Sequence, residues 1–114
     1  MENPYLLIYC TCPDRAMAER IAEALVADRL AACVNIVPGI TSIYRWQGEM
    51  QHDSELLLLI KTHSERYPAL EARIRELHSY EVPEIIAVPL QQGSESYLAW
   101  LDASVETMSL KGGT

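Results

Sequence analysis

The return arm of a predicted β-hairpin, residues 55–62, is the feature that most constrains the fold of this chain. Its centre, residues 56–60, is entirely apolar. Side chains alternate between the two faces of a strand, so Leu57 and Leu59 would face the opposite side of a sheet from the even-numbered residues. An antiparallel strand with one solvated face alternates apolar and polar residues. Because this arm does not alternate, we expect both faces of its sheet to be covered.

The first arm of the hairpin is predicted over residues 31–46. β-Branched and aromatic residues dominate this arm, which favours a strand over a helix, and the turn falls at residues 47–49. Pro38 and Gly39 cannot sit in a regular central ladder, and we expect a bulge or bend there.

The remaining elements complete a pattern of strands and helices. A strand over 5–11 precedes a helix over 14–30, with Pro13 in the first turn and the cap at Thr11 or Cys12. Ser64 is the predicted cap of a helix over 65–78, and Ser94 that of a third helix. A strand over 85–90 contains a proline, which suggests an early end or a sheet edge. This order predicts an α+β, ferredoxin-like βαββαβ sandwich with an extra C-terminal helix.

Two helices cover only one face of such a sheet, while the second face is apolar too. Burial of one Leu or Ile side chain contributes about 1.5–3 kcal/mol. If several of these side chains stayed exposed, the burial free energy lost would be comparable to a domain's net stability of roughly 5–15 kcal/mol. Either a homo-oligomer covers the second face, or the third helix covers part of it; the oligomer is the favoured solution.

Composition bounds the class of protein. The 114 residues suggest a single domain, 1–114, with residues 112–114 as a frayed tail. A net charge of −7 without a Lys/Arg stripe argues against nucleic acid and anionic membranes as partners, and no apolar run reaches the roughly 20 residues of a membrane helix. Three cysteines without a disulfide pattern suit a reducing cytoplasm.

Cysteine and histidine are the candidate metal ligands. Cys10 and Cys12 are two residues apart on a predicted strand, so their thiols would point the same way. Thiolates prefer Cu(I) and Zn(II), and imidazole suits Cu(II) and Zn(II). The alternative is that Cys10 is a small buried core residue. His78, at a predicted helix end, is either a ligand or a partner of the last helical carbonyls.

Several stretches together resemble the CutA family of divalent-cation tolerance proteins. They occur in the family's order along nearly the whole chain: residues 10–14, 30–35, 38–39, 42–48, 55–62, 80–84 and 97–101. The resemblance implies a ferredoxin-like subunit in a homotrimer, similar in architecture to the PII signalling proteins. It also implies tolerance to copper and other divalent metals in the cytoplasm. This chain has Ser79 where the family usually has proline.

The resemblance also implies roles for particular residues. Cys10 and His78 match the copper ligands of the family. A cleft between subunits would hold a small anion or metabolite, and the residues that match its lining are Tyr44, Trp46, Lys61, Tyr80 and Glu84. The alternatives are that the aromatic residues anchor a subunit interface, and that Glu81 and Glu84 bind a cation or pair with Lys61.

Catalytic motifs are missing from the sequence: it has no P-loop, no H-E-x-x-H and no G-x-S-x-G. We therefore predict a non-enzymatic cytoplasmic homotrimer that binds Cu(II), with Zn(II) or other divalent ions as further candidates. The first alternative is a PII-like trimer that binds a small effector, although the hairpin tip is short. The others are a structural trimer that anchors a partner protein, and an enzyme that uses Lys61 and Glu84.

Overall fold

A computed structural model describes residues 4–106 and shows the predicted order of elements. The four strands form one antiparallel sheet in the order β2-β3-β1-β4. The elements are β1 (Tyr5–Cys12), α1 (Arg15–Ala27), β2 (Cys33–Trp46), β3 (Glu49–His63), α2 (Tyr67–Leu77), β4 (Ile85–Pro89) and α3 (Glu95–Val105). The α+β ferredoxin-like arrangement with an added helix is thereby confirmed, and the predicted tail, 112–114, lies outside the described residues.

The hairpin of β2 and β3 contains both predicted irregularities. Gln47 and Gly48 form a two-residue turn with φ of 52° and 83°, the left-handed geometry that matches the twist of paired strands. The register shifts between Val37 and Ile40, which confirms the bulge at Pro38 and Gly39. Beyond this bulge the two strands pair up to the turn.

Two of the three predicted helix caps are wrong, and the third is confirmed, because the Ser94 hydroxyl accepts the backbone N–H of Tyr97 at 3.3 Å. Thr11 and Cys12 still belong to β1, and Asp14 caps α1 instead, because its carboxylate accepts the backbone N–H of Met17 at 2.8 Å. Before α2, Ser64 lies within a 3₁₀ turn (Ser64–Arg66) rather than at a cap. The helix α2 begins only at Tyr67, which places a proline in its first turn. The N–H groups of the first turn have no partner within a helix, so the N–H that proline lacks is not missed there.

The even-numbered residues of the central strands form the core. Ile8, Leu58 and Ile60 are fully buried on the face that α1 and α2 cover. Ile21 of α1 and Ile74 of α2 are fully buried in the same cluster. The apolar side chains on one face of the strands and on one side of each helix therefore pack together in a single core layer.

The opposite side of the sheet is apolar as well, and we call it the open face. The register places its residues opposite one another across three strands, and they are Leu7, Tyr9, Leu57, Leu59, Ile86 and Val88. Ile86 is 54% exposed and Val88 is 45% exposed. The subunit therefore leaves the β4 part of the open face exposed to solvent.

The third helix covers one end of the sheet. Leu101 and Val105 of α3 are fully buried in a small cluster with Ala32, and Tyr5 packs against it. The Tyr5 hydroxyl donates to Asp102 Oδ2 at 2.6 Å, which fixes α3 to the first residue of β1. The predicted cover by the third helix is thus confirmed for one end of the sheet, and the exposed Ile86 and Val88 show that α3 leaves part of the open face uncovered. Among residues 4–106, no helix has the length and apolar character needed to cross a bilayer.

Candidate metal site and acidic cavity

The last residues of β1 bring two thiols to the covered face of the sheet. Cys10 and Cys12 share that face because they are two apart on a strand, and both are fully buried. His78 follows α2 as its C-cap, where its backbone N–H donates to Ile74 O at 2.8 Å. Its side chain is 8% exposed. The end of β1 therefore supplies two candidate ligands, and the end of α2 supplies a third.

These three side chains converge. The two sulfur atoms and a ring nitrogen of His78 all lie within 4.8 Å of one another. Within residues 4–106, this is the single group of three or more His, Cys, Asp or Glu side chains close enough to hold a metal ion. The structure thus brings together the predicted pair, Cys10 and His78, and adds Cys12 as a third candidate ligand.

Hydrogen bonds of the His78 ring set its tautomer. Nδ1 accepts the backbone N–H of Tyr80 at 3.1 Å. Nε2 therefore carries the ring proton and donates to Thr11 O at 2.7 Å. The ring contacts a carbonyl of β1 rather than the last carbonyls of α2, so its capping role is carried by the backbone alone. For Nε2 to bind a metal, the ring proton must move to Nδ1, and both hydrogen bonds must open.

The two thiols affect each other's protonation. The Cys10 thiol donates to Thr11 O at 3.8 Å. Interaction with the Cys12 thiol, and then burial, raise the pKa of Cys10, and the same interaction lowers the pKa of Cys12. Two sulfurs and one imidazole form a soft donor set, which suits Cu(I) and Zn(II) better than Mg²⁺ or Ca²⁺. The residues present fit a soft metal ion.

A cavity of about 650 Å³ adjoins this cluster. Four of the five residues predicted to form a pocket line it: Tyr44, Trp46, Tyr80 and Glu84. The fifth, Lys61, does not line it, because its ammonium donates to Asn35 and lies 3.9 Å from Cys33 Sγ. Thr11 forms the shared wall, since it lines the cavity while its carbonyl accepts from His78.

Glu55 is the cavity residue that the sequence analysis missed. It is 5% exposed and accepts the hydroxyl of Tyr80 at 2.7 Å. Burial, and then the hydrogen bond to Glu55, raise the pKa of Tyr80. The sequence does contain a sign of this role. Glu55 directly precedes five apolar residues of a buried strand, and a carboxylate in such a position needs a polar partner.

Comparison with known proteins agrees with this fold. Residues 6–104 match the family model described as CutA1 divalent ion tolerance protein. The divalent-cation tolerance protein CutA of Thermus thermophilus is 56% identical over 83% of this chain and 92% of its own length. The solved structure of CutA from Xylella fastidiosa has a TM-score of 0.89 at 43% identity, over 91% of this chain and all of that one.

Other relatives are longer or carry a different compartment in their names. Protein CutA of Mus musculus is 49% identical over 91% of this chain, which spans 59% of the mouse protein. The relative from Arabidopsis thaliana is named chloroplastic, and the solved structure from Archaeoglobus fulgidus is titled periplasmic. The compartment is therefore not common to these relatives.

The fold and the donor cluster define a ferredoxin-like α+β protein with a candidate site for a soft metal ion. The chain belongs to the CutA1 divalent ion tolerance family, because the family model spans most of its length and relatives reach 56% identity. The predicted resemblance is confirmed.

Proposed function

We propose that this protein binds copper through Cys10, Cys12 and His78, and that this binding underlies a role in metal tolerance. The convergence of these three soft ligands within 4.8 Å carries the proposal. Membership of a divalent ion tolerance family supports it. The site needs no residue from another subunit to supply its three donors.

The second thiol bears on which copper ion is bound. The sequence and its family resemblance predict Cu(II) at Cys10 and His78, with Zn(II) or other divalent ions as further candidates. Adding Cys12 makes sulfur the majority donor, and thiolates favour Cu(I). We therefore propose that the cluster holds copper in its reduced state more tightly than Cu(II), and Zn(II) only with a fourth ligand, since zinc sites are usually four-coordinate.

Metal binding would change the protonation and contacts of this chain's residues. Both thiols must lose their protons, so affinity should rise with pH. Binding through Nε2 would require His78 to give up its bonds to Thr11 and Tyr80, which together stabilise the loop by about 1–3 kcal/mol. That cost is small beside the roughly 10–16 kcal/mol measured for thiolate-rich zinc sites. The buried position of the sulfurs keeps water from a bound ion.

Replacement of Cys12 separates the three-ligand site from the two-ligand prediction. We expect Cys12→Ala to lower Cu(I) affinity at least about tenfold, because one of two sulfur ligands is lost. Competition with a chromophoric Cu(I) chelator measures this change. Cys33→Ala is the matched control, since Cys33 is the remaining cysteine and lies outside the cluster. Equal affinities for the two variants would rule out Cys12 as a ligand.

We further propose that the protein is a non-enzymatic homotrimer of the cytoplasm. An assembly would cover the open face, and the family resemblance suggests three subunits. The distal half of the hairpin adds exposed apolar side chains that a neighbour would bury, among them Ile43 at 62% and Met50 at 65% exposure. Three free cysteines, two of them buried close together, suit a reducing compartment.

A PII-like role as a binder of a small effector is the second candidate function. The cavity favours it, because a volume of about 650 Å³ is typical of small-molecule sites. The two-residue hairpin turn differs from the long mobile loop of the PII proteins, so an effector would act through the cavity walls instead. A structural trimer that anchors a partner protein through its open surfaces remains the third candidate.

A further inference from the structure

Cys10 and Cys12 form a dithiol on a single strand. Both side chains are on the covered face of β1, both are fully buried, and both thiols are free. Their sulfur atoms lie within 4.8 Å of each other. A strand rises about 3.3 Å per residue, which separates alternate Cα atoms by about 6.6 Å. Disulfides span Cα distances of about 4.4–6.8 Å, so these two residues are within reach of a disulfide.

The position of Cys12 at the end of β1 favours closure of this bridge. Cys10 pairs on both sides, with Leu58 of β3 and Ile85 of β4. Cys12 is the last residue of the strand and pairs with β3 alone. The bridge draws the two Cα atoms together, and the strand can bend at a residue that only one neighbouring strand holds. A bridge near the upper limit of the Cα distance is strained, and external thiols reduce such bridges readily.

The three side chains of the cluster suit two different oxidation states of copper. Imidazole is a good ligand for Cu(II), whereas thiolates favour Cu(I). The ring of His78 belongs to the same group as both sulfur atoms. An ion that arrives as Cu(II) and binds to the ring is therefore placed beside two sulfur atoms that can each give up one electron. The Cu(I) that results is the state that sulfur stabilises.

We propose that the protein reduces Cu(II) to Cu(I), with Cys10 and Cys12 as the electron donors. This activity rests on the proposed copper site and adds a redox step to it. The S–H bonds of Cys10 and Cys12 break, one S–S bond forms between them, and two protons pass to water. The two electrons go to two Cu(II) ions, one to each, and yield two Cu(I) ions. An external thiol then restores the dithiol by exchange with the disulfide.

Anaerobic titration of the full chain with Cu(II), in the presence of a chromophoric Cu(I) chelator, counts the electrons. We expect about two Cu(I) ions per wild-type chain, because a dithiol is a two-electron donor. Cys33→Ala should give the same yield and rate, since Cys33 lies outside the cluster. Cys12→Ala should lower the initial rate at least about tenfold, because its remaining thiols are not paired within the chain. Equal initial rates for these two variants would overturn the proposal.

Peptide mass spectrometry identifies the donors. The N-terminal tryptic peptide ends at Arg15 and contains Cys10 and Cys12 but not Cys33. After Cu(II) treatment, this peptide should have lost two hydrogen atoms and should resist alkylation, while the peptide that contains Cys33 should still be alkylated. Formation of Cu(I) while Cys10 and Cys12 both remain open to alkylation would contradict the assignment, as would a main product cross-linked through Cys33.

His78→Ala tests the role of the ring. The substitution removes the ligand that suits Cu(II) and leaves both thiols in place. At limiting Cu(II), the initial rate of reduction should therefore fall at least about tenfold, while the final yield of Cu(I) should equal that of the wild type. An unchanged initial rate would overturn the placement of Cu(II) on the ring.

The Cu(I) affinity of the fully reduced wild type, measured by chelator competition, separates this activity from the copper site itself. Tight Cu(I) binding without reduction of Cu(II) would overturn the proposed activity and leave the copper site standing. Failure of both measurements would overturn both proposals. Tight Cu(I) binding together with an intrachain Cys10–Cys12 disulfide after Cu(II) treatment is the result that we expect.

Discussion

Ile86→Glu is expected to convert the assembled protein to monomers at micromolar concentration. Ile86 lies on the open face, directly opposite Tyr9, and is 54% exposed in the subunit. The subunit should therefore tolerate a charge there, while an interface that buries this position should not. Each copy would lose about 1.5–3 kcal/mol of apolar burial and add the desolvation of an unpaired carboxylate. Sedimentation velocity measures the change in assembly.

Val26→Glu is the matched control for that variant. Val26 is 45% exposed and lies on α1, on the other side of the sheet from the open face. The same gain of charge there should leave the assembly intact. A wild-type protein that sediments as a monomer, or an Ile86→Glu protein that assembles like the wild type, would contradict the proposed use of the open face.

Leu58→Ala is expected to lower the free energy of unfolding by about 2–5 kcal/mol. Leu58 is fully buried beneath α1 and α2, opposite Cys10 in the register of β1 and β3. Truncation removes apolar burial and leaves a cavity that the surrounding side chains fill incompletely. Chemical denaturation at one fixed protein concentration measures the loss, because the stability of an oligomer depends on concentration.

Leu57→Ala provides the control within the same strand. Leu57 has the same side chain one residue earlier, but faces the open side of the sheet. Its truncation should weaken subunit association more than it destabilises the subunit itself. If both variants lowered the stability of the subunit equally, the assignment of the two faces would be wrong.

Much of the fold could be predicted because local rules and the global fold agree. The unbroken apolar run in β3 predicted two covered faces, and its alternation assigned Leu57 and Leu58 to opposite sides. Pro38 predicted the bulge for the simple reason that it lacks an N–H for the ladder. The predicted cap of α1 is wrong because two rules compete there: Thr11 and Cys12 lie just before the helix, but pairing with β3 keeps both residues in β1.

Only the part of the site formed by residues close together in the sequence could be predicted. Strand periodicity predicted that Cys10 and Cys12 share a face, which the structure confirms. The partner of His78 could not be foreseen, since Thr11 is 67 residues away along the chain and meets the ring only after α2 packs on the sheet. Lys61 looked like a pocket residue by resemblance, but in the subunit its position on β3 directs it to Asn35.

Copper binding by the assembled protein is the central claim, and native mass spectrometry tests it most directly. Spectra of the wild type and of Cys10→Ala/His78→Ala are recorded with and without added Cu(I) and Cu(II). We predict a trimer without metal that takes up one copper ion per subunit, preferentially as Cu(I), and a double variant that forms the trimer without taking up copper. Weak and equal copper uptake by the two proteins would contradict the account and leave the acidic cavity as the binding site to pursue.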